Sequence, residues 1–458
     1  MKLTRKQLLA GAAAGAVGAA GLYELIDELA GEAPERAAAA TTPFSEQHLL
    51  DGIRVVQSDG VEVLVPPLHH EIITAKLTAS RSNLRDAQSS FAHLLQGLEH
   101  DYASSPAGLG VTVAWGLPYF RRLVPDAMRR YLPHDRRADK AVVFDAQRFP
   151  SDPHDTRLES NDVAILLRSD VRTHIQDAEK RLRDSKLFHF TSIRRGFAGG
   201  GFDGKTSLPK QMAVAAQIPG ADLIPKTSEL YLGFTSTQKA GMGPGAIANF
   251  ETLGYVDFRG HDYFQHGTHM HLSHIHEDVE AWYLNFDFDE RVATAFRPNL
   301  QVKEGTQTVH QGPQQVSSLQ DVHKDYRSSG RIGHSAAIQT TSRLQGDTVA
   351  HDGTVYKKGT AIPVRADFNT LDNPFAWSEK LDEVGALPAA GVHFVVFNPT
   401  GDDFRRNRMA MDGVLPGGKI PFQARDRNQG FNSVLSTTHR QNFLVPPRRH
   451  RSLPLAEL

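Results

Sequence analysis

Two runs of alternating strand and helix signals, divided by a glycine- and proline-rich stretch, constrain this chain more than any other feature. Before the divide, Ile72-Ile73-Thr74-Ala75-Lys76-Leu77-Thr78 is alternating and β-branched, the pattern of a strand. Ser82 to Leu98 follows, with Leu84, Ala87, Phe91, Leu94, Leu95 and Leu98 at helical spacing. Leu109 to Trp115 reads as a second strand, turned by Gly116-Leu117-Pro118 into a helical stretch towards Tyr131. Asp162 to Ser169 reads as a buried strand, Val171 to Leu182 as a helix, and Leu187 to Ile193 as a strand. Gly196 to Lys226 breaks the pattern: Gly199-Gly200-Gly201, Pro209, Pro219, Gly220 and Pro225 punctuate it without periodicity, as in a linker. The alternation then resumes with strands at Leu230 to Phe234 and His269 to Ile275, and a helix starting over Asp278 to Phe286. A strand at Val392 to Phe397 and a helix from about Asp402 to Met411 complete it. Such spacing predicts an α+β protein whose halves are related units, each a sheet with helices on one face.

A chain of 458 residues is long enough for about two domains. The boundaries read as 1–40, 41–195, 196–228 and 229–458. A net charge of -1 gives no footprint for nucleic acid or anionic membranes. With no cysteine, disulfides and thiolate ligands are excluded. Residues 1–40 have the make-up of an export signal: Lys2, Arg5 and Lys6, a Gly/Ala-rich apolar run from Leu8 to Leu22, then small residues at Ala37 to Ala40. Thr4-Arg5-Lys6-Gln7-Leu8-Leu9 resembles a twin-arginine signal with lysine in the second arginine's place. An uncleaved N-terminal anchor is the alternative, although the apolar run is short for a membrane span and no stable insertion is expected.

Among 22 histidines, two groups matter. His334 lies on a short apolar element, Gly333-His334-Ser335-Ala336-Ala337-Ile338-Gln339, and Pro363-Val364-Arg365-Ala366-Asp367-Phe368-Asn369 follows with an arginine that cannot lose its charge. Between them, Gly346 to Gly359 reads as a surface hairpin. The second group is His261, His266, His269, His271, His274 and His276. On a strand, His269 and His271 share one face and His274 and His276 the other. They are strand and loop histidines, a cofactor-pocket group, or a cross-strand metal site completed by a loop histidine.

Several segments resemble the DyP-type (dye-decolorizing) peroxidase superfamily in their order and spacing. VTVAWGLPYF at Val111 to Phe120 and FPSDPHDTRLESNDVAILLRSD at Phe149 to Asp170 resemble segments of its first half. GVHFVVFNPTGDDFRR at Gly391 to Arg406 and RQNFLVPP at Arg440 to Pro447 resemble segments of its second. The resemblance implies two ferredoxin-like halves of the dimeric α/β-barrel type, with antiparallel sheets packed together and helices outside. It also implies a haem b-dependent enzyme that oxidises small organic substrates with hydrogen peroxide, either as a monomer or as a homo-oligomer. On the family's pattern His334 is the haem-iron ligand, although an ungapped match puts Ala337 there. Arg365 matches the distal arginine, with Asn369 a companion, and His271, His274 and His276 fall where polar residues meet the haem propionates. Where the family carries a distal aspartate this chain has Ser236, whose hydroxyl is no general base without activation. That departure opens a second reading, an exported non-catalytic protein binding haem, iron or another ligand in the same pocket.

Overall fold

The computed structural model describes residues 19–30, 54–58, 61–135, 139–198, 207–234, 262–264, 267–306, 317–349, 355–359, 361–374, 387–423 and 425–458. The first half runs β1 (His69–Leu77), α1 (Leu84–Asp101), β2 (Gly110–Gly116), β3 (Val163–Ser169), α2 (Arg172–Asp184) and β4 (Phe188–Phe197). A capping box between Ser80 and Asn83 starts the turn that leads into α1. The helix then buries Leu84, Ala87, Phe91, Leu95 and Leu98 against Ile73, Val113 and Ile165 on the sheet. Burying each such large side chain contributes about 1.5–3 kcal/mol, so this face, not helix propensity, holds α1 in place.

The Gly/Pro-rich stretch is less featureless than its composition implies. It carries α3 (Leu208–Ala215), whose N-cap Ser207 accepts the Lys210 N–H at 3.1 Å and whose Pro209 lies in the first turn. Residues Leu230 to Phe234, expected as a strand, form a turn through Gly233 at φ +92°.

The second half runs β5 (Thr268–Glu277), α4 (Leu319–Ser329), α5 (His334–Ser342), β6 (Phe368–Thr370), β7 (Gly391–Asn398), α6 (Gly401–Met411) and β8 (Leu435–Val445). The strand order is β4-β1-β3-β2 in the first half and β8-β5-β7-β6 in the second. Counted within each half, both are 4-1-3-2, the order of a ferredoxin-like unit. The pairs within each half are antiparallel. The halves do not simply stack. Trp115 of β2 pairs with Leu444 of β8, and Phe197 of β4 pairs with Asn369 of β6, which closes the strands into a ring. Closure removes the exposed edges that an isolated sheet would present.

Alternation then divides the strands' side chains. Ile72, Leu166, Met270, Leu272, Phe368, Val395 and Phe443 form one cluster drawn from both halves, inside the ring. The neighbouring residues point outwards to the helices. The inside also holds a polar row: His274 of β5 pairs with His393 of β7 on one side and His439 of β8 on the other.

Residues 19–30, within the stretch read as an export signal, are helical, and Leu22, Tyr23, Leu25 and Ile26 are buried with Phe197, Tyr231 and Leu371. The Tyr23 hydroxyl lies 3.0 Å from the Arg195 carbonyl and 2.9 Å from Asp372 Oδ1, and accepts the Leu371 N–H at 3.0 Å. Asp27 Oδ1 lies 2.6 Å from Nε2 of His69. Thr348–Val349 and Val355–Tyr356 pair antiparallel, the hairpin expected in the 346–359 insertion. No helix among the described residues is long and apolar enough to cross a membrane.

Candidate functional site

On the helix-covered face of the second half lies a cavity of about 340 Å³, within the size range of small-molecule sites. Its floor is the outward face of three strands, including Ser273, Ile275 and Glu277 of β5, Val392, Phe394 and Val396 of β7, and Arg440 of β8. Helices α5 and α6 close it with His334, Ile338, Phe404 and Arg408. Arg365 and Asp367 complete the wall from the segment before β6.

His334 is the first residue of α5. Two glycines let it sit there. A Cβ on Gly333 would lie 2.1 Å from the Phe296 carbonyl oxygen, and Gly430, at φ +55°, packs its backbone on that of His334. The ring tilts against Phe431 at 4.7 Å, and its buried Nδ1 has no partner among the described residues. Burial, then the charges of Arg365 and Arg408, push its pKa down to about 3. The imidazole is therefore neutral and keeps an electron pair available, the state in which histidine ligates a metal. Ala337, the other residue matched to that position, is fully buried among Val322, Ile332 and Ala410 and does not line the cavity.

Arg365 pairs with Val396 in a two-residue bridge to β7, and its Nε lies 3.9 Å from Asp367 Oδ1. Arg343, at the end of α5, donates from Nη1 to the Gly359 carbonyl at 3.1 Å. Arg408 and Arg440 are held from the first half. Arg440 Nη2 donates to Asp152 Oδ1 at 2.6 Å, and Arg408 Nη2 donates to Ser151 Oγ at 2.6 Å and Asp152 Oδ1 at 3.3 Å. Both guanidiniums lie over the Phe149 ring, at 5.2 Å for Arg408 and 4.8 Å for Arg440. The Phe149-Pro150-Ser151-Asp152 segment thus crosses from one half of the chain to position two arginines of the other half's cavity.

The remaining expected site residues divide. His271 lies on the cavity side of β5, stacked on Phe404 at 3.5 Å. Its Nδ1 is 2.7 Å from Asn442 Oδ1 and its Nε2 is 2.5 Å from the Ser273 hydroxyl. Both nitrogens are thus engaged, and burial holds the ring well below its ordinary pKa. It supports the floor and does not face a ligand. His274 and His276 alternate to the other side of β5, so a cofactor in the cavity is out of their reach. His274 is buried in the inner row, 4.4 Å from the His393 ring, with neither nitrogen partnered among the described residues. Asn369 is also spent structurally: buried, it donates from Nδ2 to the Glu229 carbonyl at 3.2 Å and is not part of the cavity lining. Ser236, His261 and His266 lie outside the described residues. Among the described residues, no three His, Asp or Glu side chains are arranged to hold a metal ion together.

Sequence reading passed over Arg343, Arg408, Arg440, Asp367 and Glu277. A signal existed for Glu277, which shares the outward parity of His271, Ser273 and Ile275 on its strand. The residue is 7% exposed and its Oε2 has no partner among the described residues. Burial, with Asp367 adding to it, pushes its pKa up to about 8.

The model of a family of unknown function, DUF7405, matches residues 67–447. No curated protein matches the sequence. Among solved structures, the fold is similar to the DyP-type peroxidase from Cellulomonas bogoriensis, with a TM-score of 0.53 at 16% identity over 88% of this chain and 95% of that one. It is likewise similar to the encapsulated DyP-type peroxidase from Mycobacterium smegmatis, with a TM-score of 0.50 at 13% identity over 84% and 95%. Identities this low speak for the fold alone. With the 4-1-3-2 order in both halves and the closed ring, they lead to one conclusion: the chain belongs to the DUF7405 family and is a divergent bearer of the DyP-type peroxidase fold.

Proposed function

We propose that the protein is a haem-dependent, DyP-type peroxidase-like oxidoreductase that oxidises small organic substrates with hydrogen peroxide. The observation that carries this reading is that His334 and Arg365 line one cavity. The residues present fit such a group. A neutral histidine with a buried, unpartnered Nδ1 suits an iron ligand. Arg343, Arg408 and Arg440 suit the cofactor's carboxylates, and Ile275, Val392, Phe394 and Ile338 suit its apolar ring. When bound, haem would supply the redox-active iron.

The chain's own residues do the rest. His334 offers its ring nitrogen from a helix start held by Gly333 and Gly430. Arg365 points a guanidinium at the cavity and stabilises negative charge on an oxygen-bearing ligand. The phenylalanine and valine walls exclude water and strengthen that interaction.

A second reading is favoured by Ser236 in the aspartate's place: an exported, non-catalytic protein that binds haem, iron or another ligand in this cavity. Purification followed by haem titration separates the readings. A Soret band with peroxide turnover supports the enzyme, a band without turnover the binding protein, and no band overturns haem in both. We also propose export by the twin-arginine route, which intact mass of the extracellular or envelope fraction tests. A mature start after about Ala40 is expected, and an intact Met1 there would refute cleavage.

A further inference from the structure

A buried carboxyl oxygen without a hydrogen-bond partner is unfavourable enough that a native structure holding one needs a reason for it. Glu277 carries such an oxygen. It ends β5, faces the cavity, and is more than nine-tenths buried, with Oε2 unpartnered among the described residues. The other charged groups lining the cavity are Asp367, Arg343, Arg365, Arg408 and Arg440, while His334 is neutral. All four arginines already have partners: Arg440 on Asp152, Arg408 on Asp152 and Asp412, Arg365 beside Asp367, and Arg343 on the Gly359 carbonyl. Among these described residues, none of the arginines forms an ion pair with Glu277.

We propose that Glu277 is the proton-carrying group of this cavity, giving a proton to an oxygen of a ligand held beside Arg365 and taking it back. In the forward step the carboxyl O–H bond breaks and an O–H bond forms on the ligand, leaving a carboxylate. The reverse step restores the acid, so protons balance and no electrons move. Burial and the Asp367 charge both favour the protonated form, and a pKa near 8 leaves either form accessible close to neutrality. In a peroxidase this residue would take the part for which the family uses an aspartate and this chain has Ser236. The assignment therefore rests on the proposed function, while the proton store itself does not.

The test uses the full chain. Difference infrared spectroscopy through a pH titration should show a buried protonated carboxyl band at pH 7. The band should titrate near pH 8, vanish in Glu277→Gln, and titrate at lower pH in Asp367→Asn. A band insensitive to Glu277→Gln, or no protonated carboxyl at pH 7, overturns the proposal. In haem-loaded protein, Glu277→Gln should leave the Soret band in place and slow hydrogen peroxide consumption by about 10²–10⁴-fold, with the pH profile flattened. Unchanged peroxide kinetics with the band intact also overturn it. A missing Soret band in the unmodified protein instead defeats the haem reading, and the infrared result still decides whether Glu277 stores a proton.

Discussion

Replacing Asp152 by asparagine tests how the first half of the chain positions the cavity of the second. The Asp152 side chain is almost fully buried, accepts from Arg440 and Arg408 through Oδ1, and accepts the Phe149 N–H at 2.7 Å through Oδ2. Asparagine keeps the shape but removes the charge and one acceptor. Either orientation of its amide turns an NH₂ towards a donor, the Phe149 N–H or the arginines. Arg408 retains Asp412 at 3.0 Å, whereas among the described residues no other carboxylate pairs with Arg440. Burial already pushes the Arg440 guanidinium down to about 10 with Asp152 in place. Breaking a buried pair while leaving one charge behind costs about 3–5 kcal/mol. At about 2.1 cal/mol/K per residue, unfolding 458 residues has an entropy near 1 kcal/mol/K, so Tm should fall by about 3–5 °C. Calorimetry of Asp152→Asn beside the unmodified protein measures it. Haem affinity should fall as well, because Arg408 and Arg440 line the cavity. A Tm shift below about 1 °C with unaltered haem titration would refute the view that this segment holds the two arginines.

His334→Ala should abolish the Soret band of reconstituted protein, since no cysteine can take over as ligand; a retained band would displace His334 from that role. Arg365→Leu should keep the band but slow peroxide consumption by about 10²–10³-fold in stopped-flow measurements, the usual loss for one charge-stabilising donor. Acid should destabilise the protein. Burial lowers His439 to about 4 and His70, His269 and His334 to about 3. The unfolded chain therefore binds more protons as pH falls from about 6.5 towards those values, and stability drops. At about 1.4 kcal/mol per pKa unit, His439 alone withdraws about 3 kcal/mol by pH 4. Glu71 and Glu277 act in the opposite sense: their stabilisation is complete below about pH 4.5 and is lost as pH rises through about 7 and about 8. Urea midpoints between pH 4 and 9 should therefore peak near neutrality, and a midpoint rising steadily towards pH 4 would contradict the buried neutral histidines. In the full-length chain, before any leader is removed, Tyr23→Phe should lower stability by about 1–3 kcal/mol, because the buried Leu371 N–H loses its acceptor; an unchanged urea midpoint of that chain would show that the Tyr23 hydroxyl contributes nothing to the fold.

What the sequence determined by itself is the set of elements whose burial is periodic. Ile72 to Leu77, Val163 to Ser169 and Val392 to Phe397 are strands, and Leu84 to Leu98 is a helix, because each carries enough apolar side chains at one period to be decided locally. Repetition of those elements on both sides of the glycine-rich break was enough for the α+β class and the paired halves. His334 and Arg365 were legible through local motif and residue chemistry, and they do share a cavity. Tertiary structure alone decided what depends on register across distant strands. Pairing of β2 with β8 and of β4 with β6 turns two sheets into one ring, and no local pattern encodes an edge meeting another edge. The same closure separates His271 from His274: opposite parities on one strand face different surroundings, one the cavity floor and the other the ring's interior. Asp152 shows the limit most plainly, since its partners Arg408 and Arg440 lie in the other half of the chain. An aspartate in a proline-rich turn reads as a turn residue until the fold brings two buried guanidiniums to it, and their desolvation makes its charge indispensable.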